Sequence, residues 1–116
     1  MPKPDEHISF DDFLKVDIRV GKIVQAEPYP EARRPAFKVW VDFGPEIGVL
    51  KTSAQITVHY DVETLPGRLV AGVVNFPTKQ IGKFMSEFLL LGFPDGQDGV
   101  VMIQPTHDVP LGGRLF

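Results

Sequence analysis

RLVAGVVNFPTKQIGKFMSEFLLLG, residues 68–92, is two apolar runs joined by a polar connector. The runs 69–74 and 88–91 are too short, and too closely bounded by Gly and Pro, to be helices, so they read as buried strands. The connector, 75–86, gathers the chemistry: Lys79 and Lys83, the hydroxyls of Thr78 and Ser86, and the rings of Phe76 and Phe84. It also holds Gly82, whose missing side chain lets backbone come close to a ligand. This composition suits a partner that carries phosphate.

Upstream, Phe37, Val39, Val41 and Phe43 alternate with Lys38, Trp40 and Asp42, a strand with one buried face and one open face that carries Trp40. Residues 18–27 give a long first strand, with Ile18, Val20, Val24 and Ala26 on one face and Arg19, Gln25 and Glu27 on the other. Lys22 interrupts the apolar face, and Gly21 marks a bulge or coil point. Between these strands, Pro28, Pro30 and Pro35 forbid regular structure, and Arg33 with Arg34 form the densest basic spot of the chain. A turn at 44–46 leads to a third strand at 48–52, a brief helix is expected within 53–60, and Pro66 with Gly67 stop the next segment.

At the start, 1–7 reads as a mobile segment. A short helix is expected within 8–16, with Ser9 as cap, Asp12 three residues on, and Ile8 stapled to Phe13. Phe10, Phe13 and Leu14 share a face that needs a partner, either the chain's own barrel or a second copy. Beyond residue 92, FPDGQDG is an acidic turn into one more strand at 100–104, and then an irregular tail ends in Leu115 and Phe116.

Three strands, a short helix and two strands, with a curving first strand, is the order of the OB-fold. The expected class is therefore all-β: a five-stranded OB-fold Greek-key barrel with a short N-terminal helix and a short helix between strands 3 and 4. That fold takes oligonucleotides on strands 2 and 3 and through the loops joining strands 1 to 2 and 4 to 5. Those two loops are the basic ones here.

The 116 residues suffice for one domain, placed at 8–116, with a core that needs no staple. The formal charge of −3 speaks against simple basic adsorption, but the charge is segregated. Residues 18–92 hold nine Lys or Arg against seven Asp or Glu, and both flanks are acidic. The absence of cysteine excludes disulfides, thiolate nucleophiles and Cys-ligated metals, and fits a reducing compartment. No leader-like apolar region or membrane-spanning run is present, so a cytoplasmic location without membrane insertion is expected. His7, His59 and His107 lack metal-ligand spacing, no nucleophile elbow presents a serine, and the GPEIG and DGQDG segments lack the context of a phosphate-binding loop. No catalysis, cofactor or metal is expected.

DIRVG at 17–21, VDFG at 41–44 and VVNF with IGKFMSE across 73–87 together resemble the tRNA-binding domain family, OB-folds found free-standing and appended to methionyl-tRNA synthetases. YPEARRPAFK at 29–38, TSAQIT at 52–57 and SEFLLLG at 86–92 are similar to its free-standing CsaA branch of export-related chaperones. The resemblance runs from about residue 10 onward. It implies a homodimer that binds tRNA by shape and backbone, and contact with unfolded or pre-secretory polypeptides. It departs from the appended domains at Phe88 and Leu89, where those show Gly-Met.

The candidate RNA-binding residues are Arg33, Arg34, Lys38, Lys79, Lys83, Phe84 and Ser86. For the lysines the competing reading is a solvated hairpin tip. For Arg33 and Arg34 it is a solvated loop, and for Ser86 a hydroxyl that satisfies backbone. Phe10, Phe13, Leu14, Trp40, Leu115 and Phe116 are the candidates for a dimer seam or peptide groove, Trp40 having base stacking as its alternative. Asn75 reads as a turn residue bonding its own backbone. Glu87 reads as holding the shape of the connector.

Overall fold

The computed structural model describes residues 6–116, so five of the seven residues of the expected mobile segment lie outside the described residues. Helix α1 (Phe10–Leu14) starts at a reciprocal cap. The Asp12 N–H donates to Ser9 Oγ and the Ser9 N–H to Asp12 Oδ2, each at 3.1 Å. Ile8 is exposed, and the Phe13 ring meets Phe10 at 6.1 Å. A helix of five residues has little stability of its own, and tertiary bonds hold its end. Asn75 Nδ2 donates to the Lys15 carbonyl at 2.8 Å, and Asn75 Oδ1 accepts the Asp17 N–H at 3.0 Å. Asn75 thus bonds backbone some sixty residues away in the chain, not its own.

Strands β1 (Ile18–Pro28), β2 (Phe37–Asp42) and β3 (Val49–Ala54) form an antiparallel meander. β4 (Leu69–Val73) pairs with the first half of β1. β5 (Lys79–Ile81) and β6 (Phe84–Ser86) form a hairpin of their own, and β7 (Leu89–Leu90) pairs with β4. A last hairpin joins β8 (Gly92–Pro94) to β9 (Val100–Met102). The main sheet runs β3-β2-β1-β4-β7. Its ends meet where the Glu87 N–H donates to the Lys51 carbonyl at 2.8 Å and the Lys51 N–H to Glu87 Oε1 at 3.0 Å. Thr52 Oγ1 adds a bond to the Phe88 carbonyl at 2.8 Å, and the result is a nearly closed OB-like barrel.

The structure corrects several boundaries. No helix forms between β3 and β4: Ser53 and Ala54 extend β3 opposite Lys38 and Phe37, and the chain then passes through a series of turns. Leu65 N–H reaches the Asp61 carbonyl at 3.2 Å, one turn that Pro66 and Gly67 then end. The connector is not a plain loop but the β5–β6 hairpin, and the run at 88–91 pairs over only two residues. The last strand stops at Met102, and the tail is less irregular than expected, since Arg114 bridges to Arg19.

β1 also reverses the expected inward face. Gly21 and Ile23 point into the core, and a register shift between Ile23 and Gln25 then turns Ala26 inward while Val24 is exposed. Lys22 therefore sits on the outer face, where it interrupts the stripe of Ile18, Val20 and Val24. The bulge lies at Val24, and Gly21 serves close packing, because a Cβ there would stand 2.5 Å from Val41 Cγ1 and 2.9 Å from Phe43 Cδ1. Ile18 and Val20 face outward beneath the C-terminal tail, where the Gly112 N–H donates to the Val20 carbonyl and the Leu115 N–H to that of Ile18, each at 2.8 Å.

The core holds Ile23, Val39, Val41, Phe43, Leu65, Val70 and Phe88. Phe88 meets Phe43 edge-on at 5.0 Å and covers Gly72, where a Cβ would stand 2.8 Å from the Phe88 ring. At 88, where the sequence departs from the family pattern, the ring therefore packs in the core. Outside the barrel, Asp95 braces the last hairpin, accepting the Gln97 and Gly99 N–H groups on Oδ1 and pairing through Oδ2 with His59 Nε2 at 2.7 Å.

Candidate nucleic-acid interface

Pro28, expected to forbid regular structure, still pairs with Phe37 as the last residue of β1. Pro30 and Pro35 keep the rest of the 28–36 loop out of the sheet, and two backbone bonds fold it back. The Tyr29 N–H donates to the Ala36 carbonyl and the Ala32 N–H to that of Tyr29, each at 3.2 Å. Tyr29 is buried, at 5 % exposure, and its hydroxyl donates to the carbonyl of Ile81 in β5. The β5–β6 turn is the pair Gly82-Lys83, with Gly82 at φ 64°, a left-handed conformation that favours glycine. The loop and the hairpin, far apart in sequence, therefore lie side by side.

A cleft of about 420 Å³ runs between them, lined by Arg33, Arg34, Ser53, Gln55, Gln80 and Gly82. A second, of about 550 Å³, is lined by Tyr29, Glu31, Lys38, Lys83 and Phe84. Lys79 opens a third, of about 410 Å³, with Gln55, Phe76, Ser86 and Leu89. The five basic candidates from the two loops and from β2 thus border three neighbouring hollows that share lining residues, and Arg33, Arg34, Lys79 and Lys83 are exposed.

Phe84 is only 9 % exposed. Its ring packs on Tyr29 at 5.7 Å and on the edge of Trp40 at 6.1 Å, beneath Lys38 and Lys51, each with its ammonium 5.2 Å from the ring centroid. It is a buried support for cations rather than an open platform. Ser86 is equally buried and accepts the Ser53 N–H at 3.0 Å. Trp40 shares the face of Lys38, with Phe84 as its ring partner.

Two residues that sequence reasoning passed over belong here. Tyr29 is the lone aromatic of a proline-rich loop, which was its signal. Lys51 stands opposite Trp40 on β3, legible once the alternation of β2 is carried across the ladder.

The other candidates gather elsewhere. Arg114 Nη2 donates to the Leu14 carbonyl at 2.5 Å, so the tail crosses the end of α1. Arg19 binds Asp17 at 2.6 Å and the Gly112 carbonyl at 3.0 Å, closing a knot of the DIR motif with the tail. Beside it an apolar groove of about 450 Å³ is lined by Ile18, Val20, Ala71, Val109, Leu115 and Phe116. Phe10, Leu14, Leu115 and Phe116 are exposed and Phe13 is half-buried. Among the described residues no cluster of His, Cys, Asp or Glu could hold a metal, and no helix is long and apolar enough to cross a membrane.

Comparison with known proteins agrees with this fold. The chain is 36 % identical over 113 residues to the methionine–tRNA ligase of Thermococcus kodakarensis, covering 97 % of this chain but 15 % of that enzyme. Its fold is similar to the crystal structure of the chaperone CsaA of Bacillus anthracis, with TM-score 0.89 and 42 % identity over 95 % of this chain and 99 % of that one. The CsaA chaperone of Picrophilus torridus gives TM-score 0.87 and 43 % identity, over 95 % of this chain and all of that one. The family model described as "Putative tRNA binding domain" matches residues 18–114, and the chain belongs to that tRNA-binding domain family.

Proposed function

We propose that this chain is a cytoplasmic, non-catalytic protein that holds tRNA through its phosphates, acts as a homodimer, and has a chaperone activity in protein export. The observation that carries the RNA reading is the meeting of the 28–36 loop and the β5–β6 hairpin around shared hollows, with Arg33, Arg34, Lys38, Lys79 and Lys83 at their rims. Cations so arranged suit a polyanion with a regular backbone, and each phosphate they neutralise releases counterions. Phe84 and Trp40 stiffen the floor, and Ser86 anchors the hairpin to β3.

The test is filter binding of total tRNA at several salt concentrations. The double variant Lys79→Ala, Lys83→Ala should weaken binding for all tRNA sequences alike and lower the salt slope by roughly 2, about 1 per lysine. Folding should hardly change, since exposed lysines away from caps and networks shift stability by within about 0.5 kcal/mol. Parental affinity at both low and physiological salt would remove this hairpin from the RNA site.

A second reading, capture of unfolded or pre-secretory polypeptide with RNA binding secondary, is favoured by the apolar groove at Leu115 and Phe116 and by similarity to CsaA chaperones. Peptide capture by apolar burial should weaken little with salt, or strengthen, where RNA binding weakens steeply.

A further inference from the structure

The β5–β6 hairpin is a two-stranded sheet apart from the barrel sheet. Its base is fixed to β3 through Ser86 and Glu87. Its tip carries Lys83, and among the described residues the hydrogen bond that joins that tip to the rest of the molecule is the one from the Tyr29 hydroxyl to the Ile81 carbonyl. Isolated two-stranded hairpins are marginal in water, and beside the packing of the Phe84 ring on Tyr29 and Trp40 this bond is what fixes where the turn lies. The fit around the bond is close: a Cβ on Gly82 would stand 2.6 Å from Tyr29 Oη. The same ring lies beneath Lys38, 4.7 Å from its ammonium, and against Phe84. One side chain thus touches the 28–36 loop, β2 and both strands of the hairpin.

We infer that Tyr29 is a positioning residue for RNA binding, its hydroxyl latching the hairpin to the 28–36 loop so that Lys83 and Arg33 meet the RNA at a fixed spacing. The inference rests on the tRNA reading above. It assigns to a buried, uncharged side chain an effect on affinity that acts through the cations beside it. Tyr29→Phe is the clean perturbation, because it keeps the ring and removes only the latch.

The experiment compares the parent, Tyr29→Phe, Lys83→Ala and the double variant in tRNA titrations at several salt concentrations. Amide hydrogen exchange is measured on the free proteins. Tyr29→Phe should weaken tRNA by about two- to tenfold, the worth of one hydrogen bond. The double variant should lose less than the product of the two single losses, since a displaced Lys83 has less left to lose. A hydroxyl with only a structural role would give a full product. Exchange should quicken in 79–86 while β2 and β3 keep their protection, which separates a freed hairpin from a loosened barrel.

Parental affinity in Tyr29→Phe, or independent losses, where Lys83→Ala does weaken binding, overturns the latch and leaves the RNA site standing. A silent Lys83→Ala overturns the latch, and the RNA reading then stands or falls on the Lys79→Ala, Lys83→Ala double variant. Unchanged exchange in 79–86 overturns the latch regardless of RNA.

Discussion

Phe88→Ala separates two roles that the 86–89 segment could have, a ring in the core or a contact with RNA. Phe88 is 5 % exposed, meets Phe43 at 5.0 Å and fills the space above Gly72. Truncating a buried phenylalanine costs about 3–5 kcal/mol, the spread reflecting how far the site collapses. Collapse is poor here, because the wall on β4 is glycine backbone with no side chain to swing inward. The loss should therefore fall in the upper half of that range, about 4 kcal/mol. Against a total of about 5–15 kcal/mol for a domain, that is a large share. For a chain of this size it lowers the melting temperature by roughly 15 °C. Urea unfolding monitored through Trp40, the single tryptophan, measures it. Titration with tRNA well below the transition should give the parental affinity. A loss under about 1 kcal/mol, or lost binding at unchanged stability, would refute the core assignment.

Two further outcomes are expected. The Asp95 carboxylate is held below its ordinary value of 3.8, chiefly by His59 and then by the Gln97 N–H. A depressed folded pKa means that its stabilisation is complete above the unfolded value and is lost as pH falls through the folded one. Urea midpoints should then fall more steeply below about pH 4 in the parent than in Asp95→Asn, and parallel curves would refute the pairing. Light scattering at micromolar concentration should report a dimer, and removal of residues 1–15 or Leu115→Asp should loosen it if α1 and the tail form the seam. A monomeric mass for the parent would sink that proposal.

The alternation in 37–43 and the glycine and proline boundaries made the barrel legible in sequence, since a sheet with one dry face writes its period directly. β1 misled because it is covered on both faces, by core and by tail, so both parities are apolar and only the bulge at Val24 sets which goes in. The connector hid a hairpin because its strands are three residues each, below the length at which alternation speaks. The basic candidates were legible as charge. The groups that arrange them left only faint signals, because Tyr29 and Lys51 gain their neighbours when the chain folds.

Because β5 and β6 pair with each other and with no strand of the barrel sheet, a longer turn between them would shift no residue of the barrel out of register. Doubling a flexible loop adds only about 0.6 kcal/mol of closure entropy. The barrel therefore sets no limit on length or charge at this tip, provided that Ile81 and Gly82 still meet Tyr29, and RNA binding is the constraint that would hold Lys83 there. The same freedom makes the Gly82-Lys83 turn a grafting point, where a foreign recognition sequence could be displayed on an unaltered scaffold.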